Sequence, residues 1–504
     1  MPTAVADKTS LHLANLYTEL ETLRADIADE GDGLVDQWAG WIRRADFAPS
    51  ARNLACYLAL RRRDLCALQE ELARFGLSSL GRSESRTLES LAAITALVAR
   101  AAGVPEAHQP AVPARGDFIA GNRRLEEECL RVFGVPSAHR RTRIMVTLPD
   151  SAADDQHLLR ELLQRGVELV RINCAHGDEA SWAATIEKLR HTEHQLGLPP
   201  RTRVLMDLAG PKLRTTTFAG ASDKPRFGVG DSFWLARAPS DVPAGERAIG
   251  CSLPEVIGQL AHGDPVWVDD GELGGQVSER RHGAVRIQVT HAPSDGKRLK
   301  ADKGLNFPAS ELAVPALTEA DLAALPFVAR HADIVGYSFV QGADDVARLQ
   351  SALESAGRRG AQAPALLMKI ETRRAVRNLP EIIVSAAGRN PTAVMIARGD
   401  LAVELGYQRL AEIQEEILWL CEAASVPVVW ATQVLESLAK RGQASRGEIT
   451  DAAMGVRAEC VMLNKGPYIL DAVDMLADVL QRMEAHQRKK TARLRALQSW
   501  QALF

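Results

Sequence analysis

Two segments of this sequence place charged side chains directly after apolar runs. They are Met368-Lys369-Ile370-Glu371 and Ala397-Arg398-Gly399-Asp400. The carboxylates of Glu371 and Asp400 are hard oxygen ligands of the kind that Mg²⁺ or Mn²⁺ shares with a substrate oxyanion. Lys369 lies two positions before Glu371, so both would face the same side of a strand, where the lysine could act as an acid or an electrostatic clamp. Salt-bridged surface charges would give the same pattern, and the spacing leaves both interpretations open.

Other residues in the same region could bind an anion. Arg171 and Arg214 offer guanidinium groups with fixed donor geometry, and Gly399 leaves backbone N–H groups accessible. Thr432 offers a hydroxyl at the end of an apolar run. Each also has an ordinary structural explanation. The arginines could be solvated surface charges, Gly399 could belong to a turn, and Thr432 could cap a strand. The sequence contains neither GxxxxGK[ST] nor GxGxxG, so it indicates neither a P-loop nor a dinucleotide-binding fold.

Eight apolar segments are predicted to be the buried strands that position these groups. They cover residues 143–148, 168–172, 204–208, 334–339, 366–370, 394–397, 428–431 and 460–463. Amphipathic helices are predicted in most of the gaps, and this alternation favours a (β/α)8 TIM barrel, whose catalytic residues lie at the C-terminal ends of the strands. A doubly wound open sheet is the main alternative.

Two regions do not fit the alternation. Residues 1–116 show apolar residues at helical spacing and predict an N-terminal all-helical domain, followed by a Pro-rich stretch. Residues 211–303 read as an inserted small all-β domain with a hairpin at His282-Gly283. The expected division of the chain is a helical domain, a first barrel part, the insert, a second barrel part and a basic C-terminal tail. Their ranges are 1–116, 117–210, 211–303, 304–486 and 487–504.

Composition limits the classes of partner. The 504 residues carry a formal net charge of -3, with 61 Lys and Arg against 64 Asp and Glu, so no global excess favours nucleic acid or a membrane surface. The seven cysteines form no CxxC pair, which argues against a zinc site or a disulfide framework. No segment resembles a signal peptide or a membrane span. We expect a cytoplasmic protein that binds small molecules.

Seven segments, in the same order along residues 141 to 486, resemble the pyruvate kinase family. They read VRINCAHG from Val170, MDLAGPKLRT from Met206, VDDG from Val268, KGLNFP from Lys303, KIE from Lys369, RGDL from Arg398 and ATQVLES from Ala431. The resemblance identifies the inserted β domain as the mobile lid of that family. It implies phosphoryl transfer between phosphoenolpyruvate and ADP, giving pyruvate and ATP.

The resemblance also implies roles for single residues. Glu371 and Asp400 would hold Mg²⁺ or Mn²⁺, and Lys369 would stabilise the phosphoryl group in transfer. Arg171 and Arg214 fall among the anion-binding positions, with Arg171 at the phosphoryl group. The remaining matches are the carboxylate-binding positions Ala397, Gly399, Asp400 and Thr432, and the nucleotide-binding positions Asn173, His176 and Lys303. Thr432 would also lie near the carbon atom of the enolate that accepts a proton.

The chain departs from the family at the position of its monovalent cation. Potassium-dependent members hold that ion with oxygens of an asparagine, a serine, an aspartate and a threonine, and have a glutamate nearby. In this chain the serine is Ala175, the threonine is Leu208 and the glutamate is Lys212, so two oxygen ligands are missing. The ammonium of Lys212 could supply the missing positive charge, with Asp207 to pair with it. The same combination resembles the potassium-independent branch. We therefore expect that K⁺ is not required.

Further departures affect the first and eighth strand ends. Residues 464–468 read NKGPY where the family has SGETA, residues 147–150 read TLPD where it has TIGP, and Ala209 replaces a lysine. Few residues follow the last strand, so we expect the family's C-terminal regulatory domain to be lacking.

Two other functions and two kinds of assembly remain compatible with the sequence. The functions are a noncatalytic or regulatory homologue that binds phosphoenolpyruvate, and another metal-enolate barrel enzyme such as an aldolase or lyase. Arg446, Glu448 and Asp451 resemble the interface segment of the family, which suits a barrel-to-barrel homodimer. The helical domain could bind a protein partner.

Overall fold

The computed structural model describes residues 3–78, 80–198, 202–217, 226–357, 363–489 and 491–492. The part of the predicted basic tail beyond residue 492 lies outside these residues, as do residues 218–225 of the predicted insert. No helix in the described part of the chain is both long enough and apolar enough to cross a membrane.

The chain begins with five helices. They are α1 (Thr3–Trp38), α2 (Ala48–Arg61), α3 (Cys66–Arg74), α4 (Thr87–Ala101) and α5 (Arg115–Phe133). Apolar residues at three- and four-residue steps place Leu16, Leu20 and Ile27 of α1 in a buried stripe. The N-terminal all-helical region predicted from this periodicity is confirmed.

The next elements alternate between strand and helix. They are β1 (Arg143–Thr147), α6 (Gln156–Gln164), β2 (Leu169–Asn173), α7 (Glu179–Gln195) and β3 (Arg203–Asp207). All five residues of β1 are buried, as expected of a strand covered on both faces.

An all-β region follows β3. Its strands are β4 (Thr215–Thr216), β5 (Arg226–Phe227), β6 (Ser232–Ala236), β7 (Ala248–Cys251), β8 (Pro265–Val268), β9 (Leu273–Arg281), β10 (Ala284–His291), β11 (Lys297–Arg298) and β12 (Leu305–Asn306). Seven of them form one sheet in the order β12-β8-β9-β10-β6-β7-β4, and β11 pairs with β5. The hairpin between β9 and β10 turns at His282-Gly283, where Gly283 has a φ of +78°. The predicted hairpin is confirmed.

The alternation then resumes to the end of the described chain. Its elements are α8 (Glu319–His331), β13 (Ile334–Tyr337), α9 (Ala343–Ser355), β14 (Ala365–Ile370), α10 (Arg373–Arg377), α11 (Leu379–Ala387), β15 (Thr392–Ala397), α12 (Arg398–Leu405), α13 (Tyr407–Ala423), β16 (Val428–Ala431), α14 (Glu436–Arg441), α15 (Arg446–Met454), β17 (Cys460–Leu463), α16 (Ile469–Glu484), β18 (Gln487–Arg488) and β19 (Thr491–Ala492).

Eight parallel strands close into a barrel in the order β1-β17-β16-β15-β14-β13-β3-β2. The closing pair aligns Arg143 of β1 with Cys460 of β17. The interior holds alternate residues of the strands, and Val132 and Phe133 at the end of α5 join this interior cluster. The predicted (β/α)8 barrel with an inserted β lid is therefore confirmed, and the open-sheet alternative is wrong.

The N-terminal helices pack against the outer barrel helices. The backbone N–H groups of Arg43 and Arg44 donate to the carbonyl of Gly388 at 2.8 Å. Asn53 donates to the carbonyl of Ala423, 2.8 Å away, at the end of α13. The buried Glu128 of α5 accepts from Arg44 and from the backbone N–H of Thr392 at the start of β15. These contacts join the helical region to the barrel at two points.

Candidate active site

The barrel brings five of the predicted site residues to one rim. Parallel strands end at the same face, and β2, β3, β14, β15 and β16 deliver Arg171, Asp207, Lys369, Ala397 and Thr432 to it. The register places Arg171 beside Leu205 and Asn173 beside Asp207, which fixes the order of side chains across the rim. The rim therefore combines residues that are distant in the sequence; Arg171 and Thr432 are 261 positions apart.

Asp207 is the acidic centre of the site. Its side chain is 1% exposed and accepts from Arg171 Nε at 2.8 Å and Nη2 at 2.6 Å. The Lys369 ammonium lies 3.3 Å from the same oxygen. Burial would raise the pKa of Asp207, but the charges of Lys369 and Arg171 outweigh it and hold that pKa below its ordinary value. Asp207 is thus an anion that holds two cations in position.

The Lys369 ammonium contacts three oxygen acceptors. Its Nζ lies 2.7 Å from Ser338 Oγ, 3.2 Å from Glu371 Oε1 and 3.3 Å from Asp207 Oδ2. Burial would lower the pKa of Lys369, but the two carboxylates outweigh it and raise that pKa. The lysine is therefore a charged group in a shielded position. Ser338, which in turn donates to the carbonyl of Leu208 at 2.7 Å, was missed by the sequence reasoning.

Glu371 is held by the turn that follows β13. Its Oε2 accepts from the backbone N–H of Phe339 at 2.6 Å. Phe339 has a φ of +55°, an uncommon conformation for a bulky residue that costs about 1–3 kcal/mol and persists only where the surroundings impose it. Burial raises the pKa of Glu371 and the nearby charge of Asp400 adds to this, although Lys369 opposes both. No sequence pattern indicated that a backbone N–H of this turn would bind Glu371.

Asp400 lies in the first turn of α12, and both of its carboxylate oxygens accept from Lys212. The Nζ to oxygen distances are 2.9 and 3.2 Å. The predicted pairing of Lys212 with Asp207 is wrong, because Asp207 is already enclosed by Arg171 and Lys369. Lys212 lies five residues past the end of β3, beyond the Gly210 turn, and reaches α12 instead.

The donor set suits a divalent cation. Glu371 and Asp400 present carboxylates close enough for the charge of one to raise the pKa of the other, and such repulsion is relieved by a cation between them. Among the described residues, no three His, Cys, Asp or Glu side chains form a complete metal cluster. An ion here would take its remaining ligands from water or substrate, as Mg²⁺ commonly does.

Thr432 occupies a strained position at the end of β16. Its φ is +63°, and its Oγ1 accepts from the backbone N–H of Gly399 at 2.7 Å. Arg398 donates to the Thr432 carbonyl at 2.7 Å and lies 4.5 Å from the centre of the Trp430 ring. Thr432 and Gly399 are therefore adjacent, with the Gly399 N–H bonded to the Thr432 hydroxyl. Their role in binding a carboxylate stays a prediction.

The residues predicted to bind nucleotide are more widely spread. Asn173 is the last residue of β2, and its Oδ1 accepts from the backbone N–H of Ala175 at 3.2 Å. His176 lies in the same turn, with its N–H on the Asn173 carbonyl at 3.2 Å. Lys303 belongs to the segment that leaves the insert, and its Nζ lies 2.9 Å from Asp269 Oδ1.

Arg214 does not reach the group around Asp207. It lies where the chain enters the insert, 35% exposed, with Nη1 3.2 Å from both the carbonyl and Oδ1 of Asp302. The sequence did not separate it from Arg171, because the type of side chain alone makes each arginine a possible anion-binding group. Only the direction of the chain after β3 separates them.

Two rim loops that depart from the family pattern contact each other. Lys465 follows β17 and lies 3.2 Å from Asp150, which follows β1. Both side chains are substantially exposed. The altered first and eighth loops therefore form one joint feature of the rim.

The segment expected at a dimer interface has partners within the chain. Asp451 pairs with Arg398, and Glu448 accepts from the backbone N–H groups of Ser437 and Ser445. Arg446 is exposed. The homodimer stays a prediction.

A cavity of about 270 Å³ opens beside Asp400 and Lys212. It lies between the two segments that connect the insert to the barrel and the arginines of α10. Phe307 and Leu312 contribute its apolar wall, and Glu404 lies at its edge. The cavity adds an open volume next to the candidate metal ligands.

Comparisons with known proteins agree with this architecture. Residues 139–473 match the family model described as "Pyruvate kinase, barrel domain". The chain is 30% identical over 364 residues to the pyruvate kinase of Thermococcus litoralis, covering 71% of this chain and 72% of that protein. It is 33% identical over 355 residues to the pyruvate kinase of Methylorubrum extorquens, with 68% and 69% covered. The match to pyruvate kinase 2 of Synechocystis spans 57% of that protein.

Proposed function

The chain belongs to the pyruvate kinase family, and on that premise we propose that it transfers the phosphoryl group of phosphoenolpyruvate to ADP, giving pyruvate and ATP. The observation that carries the proposal is the buried group formed by Arg171, Asp207, Lys369 and Glu371, with Asp400 at its edge. A shielded, fixed positive charge beside two carboxylates is what phosphoryl transfer needs for electrostatic stabilisation.

The proposed reaction breaks the bond between phosphorus and the enol oxygen and forms a bond from phosphorus to a terminal oxygen of ADP. Lys369 and Arg171 stabilise the negative charge on the transferred group, and Asp207 keeps both cations aimed at it. The enolate left behind takes a proton on carbon, near Thr432, and becomes pyruvate. Glu371 and Asp400 would hold Mg²⁺ or Mn²⁺, which supplies charge neutralisation on substrate oxygens.

Substrate positioning is proposed for the remaining rim residues. The Ala397 to Asp400 turn and Thr432 would receive the phosphoenolpyruvate carboxylate, which would take the place of the Thr432 hydroxyl as the acceptor of the Gly399 N–H. Asn173, His176 and Lys303 would bind the nucleotide. Arg214, on the entry to the insert, would reach an anion only if the insert moves toward the barrel.

We also propose that the reaction needs no K⁺. Ala175 and Leu208 lack the side-chain oxygens that could hold a monovalent cation, and Leu208 is 1% exposed. Lys212 adds a positive charge to the same rim, although its partner is Asp400.

We also propose that the domains of the chain divide at residues 116, 210, 303 and 486. The first of these boundaries falls within the first turn of α5.

A noncatalytic homologue that binds phosphoenolpyruvate is the second candidate. The observation that favours it is the Lys465 to Asp150 ion pair, which joins two altered loops where the family has other residues. The aldolase or lyase alternative has less support, because such an enzyme would not need the insert that the chain retains.

A coupled assay with phosphoenolpyruvate, ADP and Mg²⁺ tests the proposal. Purified protein should form pyruvate only when ADP is present, and Lys369→Met should reduce the rate by at least about a hundredfold because a preorganised charge is lost. Lys440→Met, which removes the same charge from an exposed pair with Glu436, is the matched control and should leave the rate unchanged. Pyruvate formed without ADP would indicate a lyase, and binding without turnover would indicate the noncatalytic homologue.

A further inference from the structure

The ion pair between Lys212 and Asp400 joins the base of the insert to the barrel. Lys212 lies on the segment that enters the insert, and Asp400 lies on barrel helix α12. The side chains are 32% and 16% exposed, so solvent screens this pair less than it screens most surface pairs.

The two connecting segments of the insert are hydrogen-bonded to each other next to Lys212. The N–H of Leu305 donates to the carbonyl of Leu213 at 2.9 Å, and the N–H of Thr215 donates to the carbonyl of Lys303 at 2.8 Å. A second side-chain link to α12 runs from Asn306 to Glu404 at 3.3 Å. A change in the position of Lys212 would therefore act on both connections of the insert.

Lys369 and Lys212 each contact a candidate metal ligand, and they differ in the acceptors that remain to them if that carboxylate binds a metal ion. Lys369 keeps Asp207 and Ser338 as acceptors when Glu371 coordinates an ion. Among the described residues, Asp400 is the single hydrogen-bond or ion-pair acceptor of Lys212. An ammonium in contact with both oxygens of Asp400 and a divalent cation on those oxygens would also repel each other strongly at such distances.

We infer that Lys212 competes with a divalent cation for Asp400, so that metal binding detaches the base of the insert from α12. The inference rests on the proposed function, because that is what makes Asp400 a metal ligand. Since coupling between two equilibria is reciprocal, holding the insert against α12 through Lys212 must weaken metal binding by the same factor. Lys212 thereby links occupation of the metal site to the position of the insert.

Binding of Mn²⁺ alone to the full chain tests this, with free Mn²⁺ measured by electron paramagnetic resonance. Lys212→Gln should bind Mn²⁺ about two to five times more tightly than the unmodified chain, which is the range expected for removal of one partly exposed ion pair. Lys212→Arg, which keeps the charge, should bind like the unmodified chain. Lys440→Gln, which removes an exposed ion-pair lysine elsewhere, should also do so.

Hydrogen exchange of residues 212–217 and 302–307 gives a second measurement that does not depend on a binding constant. Exchange should rise when Mn²⁺ is added to the unmodified chain, and it should already be high in Lys212→Gln. The inference is overturned if Lys212→Gln binds Mn²⁺ no more tightly while Asp400→Asn loses binding; the metal site then stands and the competition does not. If Asp400→Asn binds Mn²⁺ as the unmodified chain does, the metal assignment fails and the inference fails with it.

Discussion

Removal of the charge of Asp207 is the sharpest test of how the site is held together. Asp207 is 1% exposed and balances both Arg171 and Lys369. In Asp207→Asn, the Arg171 guanidinium loses its carboxylate partner, and the buried Lys369 ammonium keeps only Glu371. Breaking a buried ion pair by removing one partner costs about 3–5 kcal/mol of stability. We expect Asp207→Asn to lower the free energy of unfolding of the barrel by this amount.

The magnitude can be checked against an exposed pair of the same kind. Asp150 lies 3.2 Å from Lys465, and the two side chains are 63% and 45% exposed. Asp150→Asn should cost at most about 1 kcal/mol, because solvent screens that pair. The double variant Asp207→Asn with Arg171→Met should recover part of the loss, since it removes the cation that Asp207→Asn leaves without a carboxylate.

Hydrogen exchange in increasing urea is the suitable measurement, because it reports on the strands β2, β3 and β14 separately from the helical region and the insert. Asp207 has a lowered pKa, so its stabilisation is fully present above the ordinary pKa of an aspartate and is lost as the pH falls through the lowered value. The difference between the two proteins should hold from neutral pH to about pH 5 and shrink only in stronger acid. A loss no greater than that of Asp150→Asn would refute the reasoning.

Three further outcomes are expected. Arg44→Ala should lower the free energy of unfolding by about 2–4 kcal/mol in thermal unfolding, because the buried Glu128 loses the nearer of its two arginine partners and keeps only Arg131, 3.4 Å away. Arg52→Ala, in an exposed pair, should cost about 1 kcal/mol or less. Equal effects would contradict the role of Arg44 in docking the helices. Thr432→Ala should cost about 1 kcal/mol by removing the acceptor of the Gly399 N–H, and Thr432→Ser should restore it in the same measurement. Phosphoryl transfer measured in buffer free of K⁺ and Na⁺ should rise less than about twofold when K⁺ is added, since the cation-binding oxygens are missing; strong activation would exclude Lys212 as a substitute.

The barrel strands were predictable from the sequence for a direct physical reason. A strand covered on both faces must be apolar along most of its length, so each of the eight appears as a short apolar run. The predicted strands at 428–431 and 460–463 coincide with β16 and β17, and the other six differ by at most two residues at either end. Polar residues at the ends of those runs are enough to identify Lys369, Glu371 and Asp400 as rim residues.

The partners of those rim residues were decided by the tertiary structure alone. Lys212 was expected to meet Asp207, yet it reaches Asp400, because the chain turns at Gly210 and Asp207 is already enclosed. Ser338 and the N–H of Phe339 carried no pattern that could identify them, although they hold Lys369 and Glu371. Side-chain type and order along the chain determined which chemistry was present. Which charges meet depends on distances across strands and turns that are remote in sequence, and only the closed barrel sets those distances.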